Sequence, residues 1–298
     1  TYDNKQIGGP NNSQTLPENA LMHGKLYLNE VDTETHLHQR QWRWGNCLNN
    51  PVNMEETKGL MVRDYAYSMT KGFGLWWTDL HGANFQDSSI IALMRQLKEM
   101  DDSYLEADKG SVADIAVILD EESFKYFGDG EPLFNVLLTA QKQWELGFIG
   151  APWEPYLLTE IGNPAMRDFK VYLFLNTFRV TPGQKKAIHE KLSRNGATAV
   201  WVYAPGYIGE DKLSTQFMSE LTGIKLEEDS SAGELRVEIT GPDHPFTSTL
   251  DEGTVYGSDV DRENIIRWYD HQIYMKDPRD PKLERDLPGF SFSPRFYA

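Results

Sequence analysis

The alternation of apolar runs with polar loops predicts two successive segments of strands and helices. In the first, Leu26–Asn29 predicts a short buried strand and residues 73–79 a second one, and residues 55–71 and 88–100 predict helices. Apolar side chains recur on one side of each predicted helix, and Gly72 is placed to end the first helix. The order strand, helix, strand, helix is typical of parallel sheets.

The second segment begins after an acidic, glycine-containing stretch at residues 101–111, where we place a domain boundary. Strands and helices alternate again, which predicts an α/β fold with a doubly wound, flavodoxin-like parallel sheet. The expected domains are residues 1–108, 109–250 and an extended tail at 251–298, with residues 1–22 as a loop. The predicted strands are 115–119, 155–159, 170–175, 198–203, 225–228 and 235–239, and the predicted helices are 133–146, 182–194 and 213–221.

Composition narrows the classes of partner. The 298 residues carry 45 acidic and 29 basic side chains, a formal net charge of −16. Nucleic acid and anionic membrane surfaces both require a basic face, so neither is expected as a partner. The sequence contains no run of about 18 apolar residues, so it predicts no membrane span. The single cysteine, Cys47, cannot form an internal disulfide or a thiolate zinc site.

The second segment lacks the residues that nucleotide or amidotransferase chemistry needs. The loop after its first strand is Asp120-Glu121-Glu122-Ser123, whose carboxylates would repel a phosphate. The turn after the strand at 198–203 is Ala204-Pro205, which offers neither a nucleophile nor an amide donor at the proline. No glycine-rich phosphate motif occurs. We therefore expect a structural or assembling role for this segment, and no cofactor.

Candidate chemistry is concentrated in the first segment. Glu30 follows a predicted strand directly, where a carboxylate could act as a nucleophile or a general acid, or simply form the polar end of a strand. Trp76 and Trp77 could offer an aromatic face to a sugar ring, although at least one of two neighbours on a strand should face the core. Asp79 ends the second strand, and Arg63 lies in the helix between.

Three stretches together resemble a known family. Residues 23–37 contain Asn29-Glu30-Val31-Asp32-Thr33, residues 72–80 contain Gly74-Leu75-Trp76-Trp77-Thr78-Asp79, and residues 176–178 and 196–202 follow in the second segment. In this order they resemble the nucleophile segment, the eighth barrel strand and the amidotransferase-like trimerisation domain of the family-42-like β-galactosidases. Those enzymes belong to the retaining glycosidases with a TIM barrel.

The resemblance implies a role for each candidate residue. Glu30 would be the nucleophile, and Trp76 or Trp77 would form the floor of the sugar site. Asn29 and Asp32 would orient groups near the nucleophile. Arg63 and Asp79 could also bind substrate, or could form a structural ion pair. An Asn-Glu pair can also mark the acid/base residue on the fourth barrel strand, but only one β-α unit separates Glu30 from the domain boundary, which favours the nucleophile.

The resemblance covers only part of a barrel. A complete (β/α)8 barrel takes about 250 residues, whereas residues 1–108 precede the second segment. We therefore expect the C-terminal portion of a glycosidase barrel followed by a trimerisation domain. Its carbohydrate substrate would not be hydrolysed by this chain alone, because the family's acid/base glutamate lies on an earlier strand.

Two further alternatives stay open. The chain could be a non-catalytic oligomerisation module with an amidotransferase-like fold, in which residues 1–108 are only an attachment. His36 and His38 are two residues apart and could face the same way on a strand as metal ligands. Because no acid-rich set of partners accompanies them, we expect no metal site.

Overall fold

The computed structural model has a mixed α/β fold with parallel sheets. It forms two compact units, one of residues up to Glu227 with residues 296 and 297, and one of residues from Glu228 to Arg295. The domain boundaries expected from the sequence stay predictions. The structure describes residues 5, 7–11, 13, 15–37, 51–79, 82–108, 110–126, 145–229, 237–240, 244–256 and 295–297.

A two-stranded parallel sheet with helices on one face forms the start of the first unit. Strands β1 (Leu28–Val31) and β2 (Gly74–Trp77) pair in parallel. Buried side chains of the second and third helices, including Met61, Tyr65 and Leu93, form a core with Leu75 and Trp77 of β2. The elements in order are α1 (Pro17–Met22), β1 (Leu28–Val31), α2 (Met54–Lys71), β2 (Gly74–Trp77) and α3 (Ser88–Leu105).

Local capping fixes the limits of α2 and α3. The Asn53 side chain accepts a hydrogen bond from the Glu56 amide at 2.9 Å and so caps the N-terminus of α2. Gly72 ends that helix with φ +77°, a left-handed conformation that glycine adopts without steric cost. Asp87 caps α3 by accepting from the Ser89 and Ile90 amides. These caps explain why both predicted limits of α2 and the predicted start of α3 agree closely with the structure. The end of α3 was predicted wrongly, because the helix continues to Leu105 instead of ending at residue 100.

A four-stranded parallel sheet forms the rest of the first unit. Its strands are β3 (Ile115–Leu119), β4 (Trp153–Leu157), β5 (Val171–Phe174) and β6 (Thr198–Trp201). They lie in the order β4-β3-β5-β6, so the chain winds outward in both directions from the central pair β3 and β5. Strand β3 is buried almost throughout, as its continuous apolar sequence predicts for a central parallel strand.

Two helices follow β5 and β6. Helix α4 (Pro182–Asn195) begins with a capping box between Thr181 and Gln184 and ends at Gly196. Helix α5 (Thr215–Thr222) begins at the cap Ser214. Ile188 and Leu221 pack into the same core as Tyr172 and Phe174 of the sheet. Short 3-10 helices lie at Glu122–Tyr126, Glu145–Phe148 and Leu158–Glu160.

The last strands are short. They are β7 (Glu227–Asp229), β8 (Val237–Glu238), β9 (Val255–Tyr256) and β10 (Arg295–Tyr297). Strands β8 and β9 pair in antiparallel fashion. Most of the tail predicted at residues 251–298 lies outside the described residues. Within the described residues, no helix has the length and apolar character that crossing a membrane requires.

The structure corrects several predictions from the sequence. The strand predicted at 225–228 runs from Glu227 to Asp229. The first strand runs from Leu28 to Val31 instead of Leu26 to Asn29, and it is not the buried strand that was predicted, since Leu28 is 56% exposed. Residues 1–22 are not entirely loop, because α1 begins there with Pro17 at its first position. The strand predicted at 155–159 is shifted to Trp153–Leu157. The helix predicted at 133–146 lies mostly outside the described residues.

Candidate active site

The register of β1 and β2 places Glu30 beside Trp76. These two residues are cross-strand partners in the parallel pair. Because side chains alternate along a strand, Glu30 and Trp76 share the face that points away from α2 and α3, together with Leu28. Both are exposed, and Trp76 is 51% accessible. An accessible carboxylate therefore lies next to an accessible indole at the carboxyl end of two parallel strands.

One side chain orients the Glu30 carboxylate. Thr78 Oγ1 donates a hydrogen bond to Glu30 Oε1 at 3.1 Å. Thr78 is itself buried and fixed, because its amide donates to the Val31 carbonyl at 2.9 Å. Lys5 Nζ donates to the backbone carbonyl of Glu30 at 3.3 Å. Among the described residues, Oε2 of Glu30 has no hydrogen-bond partner, which leaves this oxygen for an incoming atom.

Thr78 was not singled out from the sequence. It follows Trp76 by two residues, so the two-residue period of a strand puts both side chains on the same face. A hydroxyl two residues after a tryptophan in a predicted strand is therefore the sequence signal for this position. This signal identifies Thr78 as a partner of Glu30 only when the register between β1 and β2 is known.

Asn29 points to the other face of β1. Its Nδ2 donates to Ser68 Oγ of α2 at 3.2 Å, and Ser68 Oγ donates to the Asp64 carbonyl at 3.1 Å. Asn29 therefore fixes the strand against α2 at the position next to Glu30. It does not lie on the exposed face with the carboxylate.

Asp32 forms an ion pair with Lys5. The Asp32 side chain is only 19% exposed and that of Lys5 13%. Since Lys5 also bonds the Glu30 carbonyl, this cation connects the residue after β1 to the end of the strand. The arrangement stabilises the backbone around Glu30.

Arg63 takes part in a second, more buried cluster. Its Nε donates to Asp64 Oδ1 at 2.9 Å, and its other nitrogens donate to the carbonyls of Gly9 and Lys5 at 3.0 and 2.7 Å. Asp64 is fully buried and also accepts from Thr33 Oγ1 at 2.5 Å. Burial raises the pKa of Asp64 above its usual value despite the neighbouring guanidinium. Arg63 therefore holds the loop before α1 against α2, and its neighbour Asp64 holds the loop after β1 through Thr33.

Trp77 is the last residue of β2, and Asp79 follows it by two residues. Trp77 packs against the core of α2 and α3. Asp79 Oδ2 accepts from the Asn84 amide at 3.1 Å, while its buried Oδ1 has no partner within the described part of the chain. Asn84 also accepts from Thr35 Oγ1 through its carbonyl at 2.6 Å. Asp79 and Asn84 thus link the two loops that follow β1 and β2.

The histidines do not form a metal centre with other ligands in the described residues. His36 Nδ1 lies 2.9 Å from Thr57 Oγ1, and His38 is outside the described residues. No group of three or more His, Cys, Asp or Glu residues with metal-binding geometry is found in the part of the chain that the structure describes.

Comparison with known proteins gives only distant structural similarity. No protein-family model matches the chain, and no curated protein sequence does either. Among solved structures, the chain is similar to the crystal structure of β-galactosidase from Bifidobacterium adolescentis. The TM-score is 0.30 and the sequence identity 11%, over 55% of this chain and 99% of that chain.

Proposed function

We propose that the chain is the C-terminal portion of a retaining glycoside hydrolase of the β-galactosidase type, with Glu30 as the nucleophile. The observation that carries the proposal is the pairing of an exposed carboxylate with an exposed indole, Glu30 and Trp76, at the carboxyl end of a parallel strand pair. Retaining glycosidases need a carboxylate aligned with the anomeric carbon and an apolar surface for the C–H face of the sugar.

The proposed chemistry has two steps. A carboxylate oxygen of Glu30 attacks the anomeric carbon, the glycosidic bond breaks, and the leaving oxygen takes a proton from an acid. Water then attacks the glycosyl ester, gives its proton to the same acid residue, and releases Glu30 as a carboxylate. Thr78 holds Oε1, so Oε2 is the oxygen presented to the sugar.

Other predicted site residues support this geometry from a distance. Asn29 bonds to α2, Asp32 to Lys5, and Asp79 to the loop at Asn84. We assign them as positioning residues, with Arg63 fixing the loop before α1 and Trp77 packing in the core beneath. Trp76 is then the residue that touches the sugar.

The proposed architecture is a partial (β/α) barrel at residues 1–108, a flavodoxin-like domain at 109–250 and a tail at 251–298. The order β4-β3-β5-β6 supports the flavodoxin-like assignment, since it winds outward from a central strand pair. Two strands cannot close a barrel. The acid/base residue would therefore come from polypeptide outside these residues, and we expect no turnover of aryl galactosides by the 298-residue chain alone.

Glu30→Gln in the complete enzyme tests the proposal. It replaces the attacking oxygen at constant size, so turnover should fall by at least about 10³-fold while the oligomeric state stays unchanged. Glu34→Gln, four residues further on in the loop after β1, serves as the matched control and should keep most of the activity. Full activity in Glu30→Gln would overturn the assignment.

A non-catalytic oligomerisation module is the second candidate. One feature favours it: the crevice between β3 and β5, where doubly wound sheets hold ligands, is closed by Asn176. Its amide donates to the Asp120 carbonyl at 2.7 Å and accepts from the Asp120 amide at 2.8 Å. Such a domain would serve assembly, by resemblance as a homotrimer. Light scattering on the full chain gives three times the monomer mass in this case, and a monomer would exclude it.

A further inference from the structure

A small cleft lies between α1, α2 and the start of β4, and it contains none of the residues around Glu30. Its volume is about 290 Å³, close to the lower end of about 300 Å³ for ligand pockets. This size suits a single ring. The cleft is lined by Glu18, Tyr67, Lys71, Leu146, Trp153 and Pro155, among others.

Glu18 is the buried polar group of this cleft. Glu18 is 7% exposed, and one of its carboxylate oxygens, Oε1, accepts a hydrogen bond from Lys71 Nζ at 2.6 Å. The other oxygen, Oε2, is buried and has no hydrogen-bond partner within the described part of the chain. A buried acceptor oxygen that has lost its bond to water and gained no partner is destabilising. A ligand that donates a hydrogen bond to it would recover that cost.

Two donors accompany this acceptor. Lys71 Nζ bonds to Glu18 Oε1 and to the Trp153 carbonyl, at 2.6 and 2.8 Å, and an ammonium group has a third N–H. Tyr67 OH accepts from the Ser13 amide at 3.0 Å, so its own hydrogen can be donated. One acceptor and two donors side by side match neighbouring hydroxyl groups, each of which both donates and accepts.

The remaining wall is apolar and fixed. The Trp153 indole is only partly buried, and its Nε1 donates to the Leu146 carbonyl at 2.9 Å, which sets the orientation of the ring. Leu146 and Pro155 are buried beside it. A partly exposed aromatic ring opposite hydrogen-bonding groups is suited to a ligand with one C–H face and one hydroxyl edge.

The charges of the cleft favour a neutral ligand. Glu18 and Lys71 form an ion pair, so their charges cancel. Burial raises the pKa of Glu18, and the nearby Glu154 adds to this rise. Glu154 is itself ion-paired with Arg167, so these groups together offer an anion no net positive charge. From these groups we propose that the cleft is a binding site for a neutral pyranose, held by Glu18, Lys71 and Tyr67 and packed on Trp153.

Saturation-transfer difference NMR on the full chain tests the site. The measurement uses a Trp76→Ala background, so that the surface beside Glu30 does not contribute. We expect transfer to methyl β-D-galactopyranoside or methyl β-D-glucopyranoside at millimolar concentration, and about tenfold weaker binding of D-galacturonate. The proposal would be overturned if neither neutral glycoside showed transfer at 50 mM. It would also be overturned if D-galacturonate bound as tightly as the neutral glycosides.

Two variants locate the binding. Ala151→Phe places a ring in the mouth of the cleft, whereas Ala92→Phe places the same ring on an exposed position of α3. The first should lose the transfer and the second should keep it. Glu18→Gln should weaken binding by about tenfold, the effect of one hydrogen bond to a charged group. Unchanged binding in either Ala151→Phe or Glu18→Gln contradicts the assignment.

Discussion

Thr78 Oγ1 donates a hydrogen bond to Glu30 Oε1 at 3.1 Å, from one strand end to the neighbouring strand. Both the donor and its backbone are buried and fixed, whereas the Glu30 side chain is exposed. Such an arrangement preorganises one oxygen and leaves the other accessible. Preorganised hydrogen bonds matter because the group that reacts then needs no reorientation.

The first prediction concerns this hydrogen bond. Thr78→Val keeps the shape of the side chain and removes the donor, so kcat in the complete enzyme should fall by about tenfold to a hundredfold with little change in KM. Thr78→Ser keeps the hydroxyl and should restore most of the rate. Equal losses in kcat for valine and serine would show that the hydroxyl does not position Glu30.

The second prediction compares two glycines of α2. Gly59 is exposed in the middle of the helix with free space around its Cα, and Gly72 ends the helix at φ +77°. Gly59→Ala should stabilise the protein by about 0.5–1 kcal/mol, because alanine loses less backbone entropy on folding. Gly72→Ala should destabilise it by about 1–2 kcal/mol, because a Cβ disfavours the left-handed conformation.

Urea denaturation of the two variants checks this pair. The midpoint should rise for Gly59→Ala and fall for Gly72→Ala, at an unchanged slope. Changes of the same sign would contradict the helix end at residue 72.

The third prediction is a pH dependence of stability. Asp120 is 1% exposed, and burial raises its pKa above the usual value, even though the Ser123 hydroxyl and amide donate to it. The folded state therefore binds its proton more tightly than the unfolded state does. Its contribution to stability is complete below the usual aspartate pKa of about 4 and is lost as the pH rises through the raised pKa.

Two aspartate variants separate this effect from a general loss of charge. Asp120→Asn removes the titrating group and with it the loss of stability at rising pH. The unfolding free energy of this variant should therefore fall less between pH 4 and pH 7 than that of the wild type. Asp87 has a pKa lowered by the Ser89 amide, which gives the opposite sign. Asp87→Asn should therefore lose stability relative to the wild type as the pH rises. Chemical denaturation at several pH values measures both, and equal slopes for the two variants would contradict the assignment.

Local signals explain how much of the fold could be predicted. Asn53, Gly72 and the pair Thr181-Pro182 mark helix ends by backbone chemistry that needs no tertiary contact, and those limits agree with the structure. The first strand was shifted because its apolar residues do not define a register. The limits of β1 are determined by its pairing with β2, in which Leu28 lies opposite Gly74. The sequence predicts a loop where α1 lies, because these six residues belong to a stretch rich in proline and asparagine.

The candidate site depended on contacts that the sequence does not contain. Glu30 and the tryptophans were recognisable by residue type and position. Which tryptophan lies beside Glu30, and that Arg63 bonds to Asp64 and two carbonyls, follow only from the register and from the packing of α2. Pairings between residues about 46 positions apart, such as Glu30 with Trp76, require the folded chain.

Covalent trapping of Glu30 tests the central claim most directly. The complete enzyme is incubated with a 2,4-dinitrophenyl 2-deoxy-2-fluoro-β-galactoside, which slows hydrolysis of the glycosyl ester, and is then digested and analysed by mass spectrometry. The proposal predicts one fluorosugar on the peptide that contains Glu30, and none in Glu30→Gln. A label on a different carboxylate in the active enzyme would contradict it.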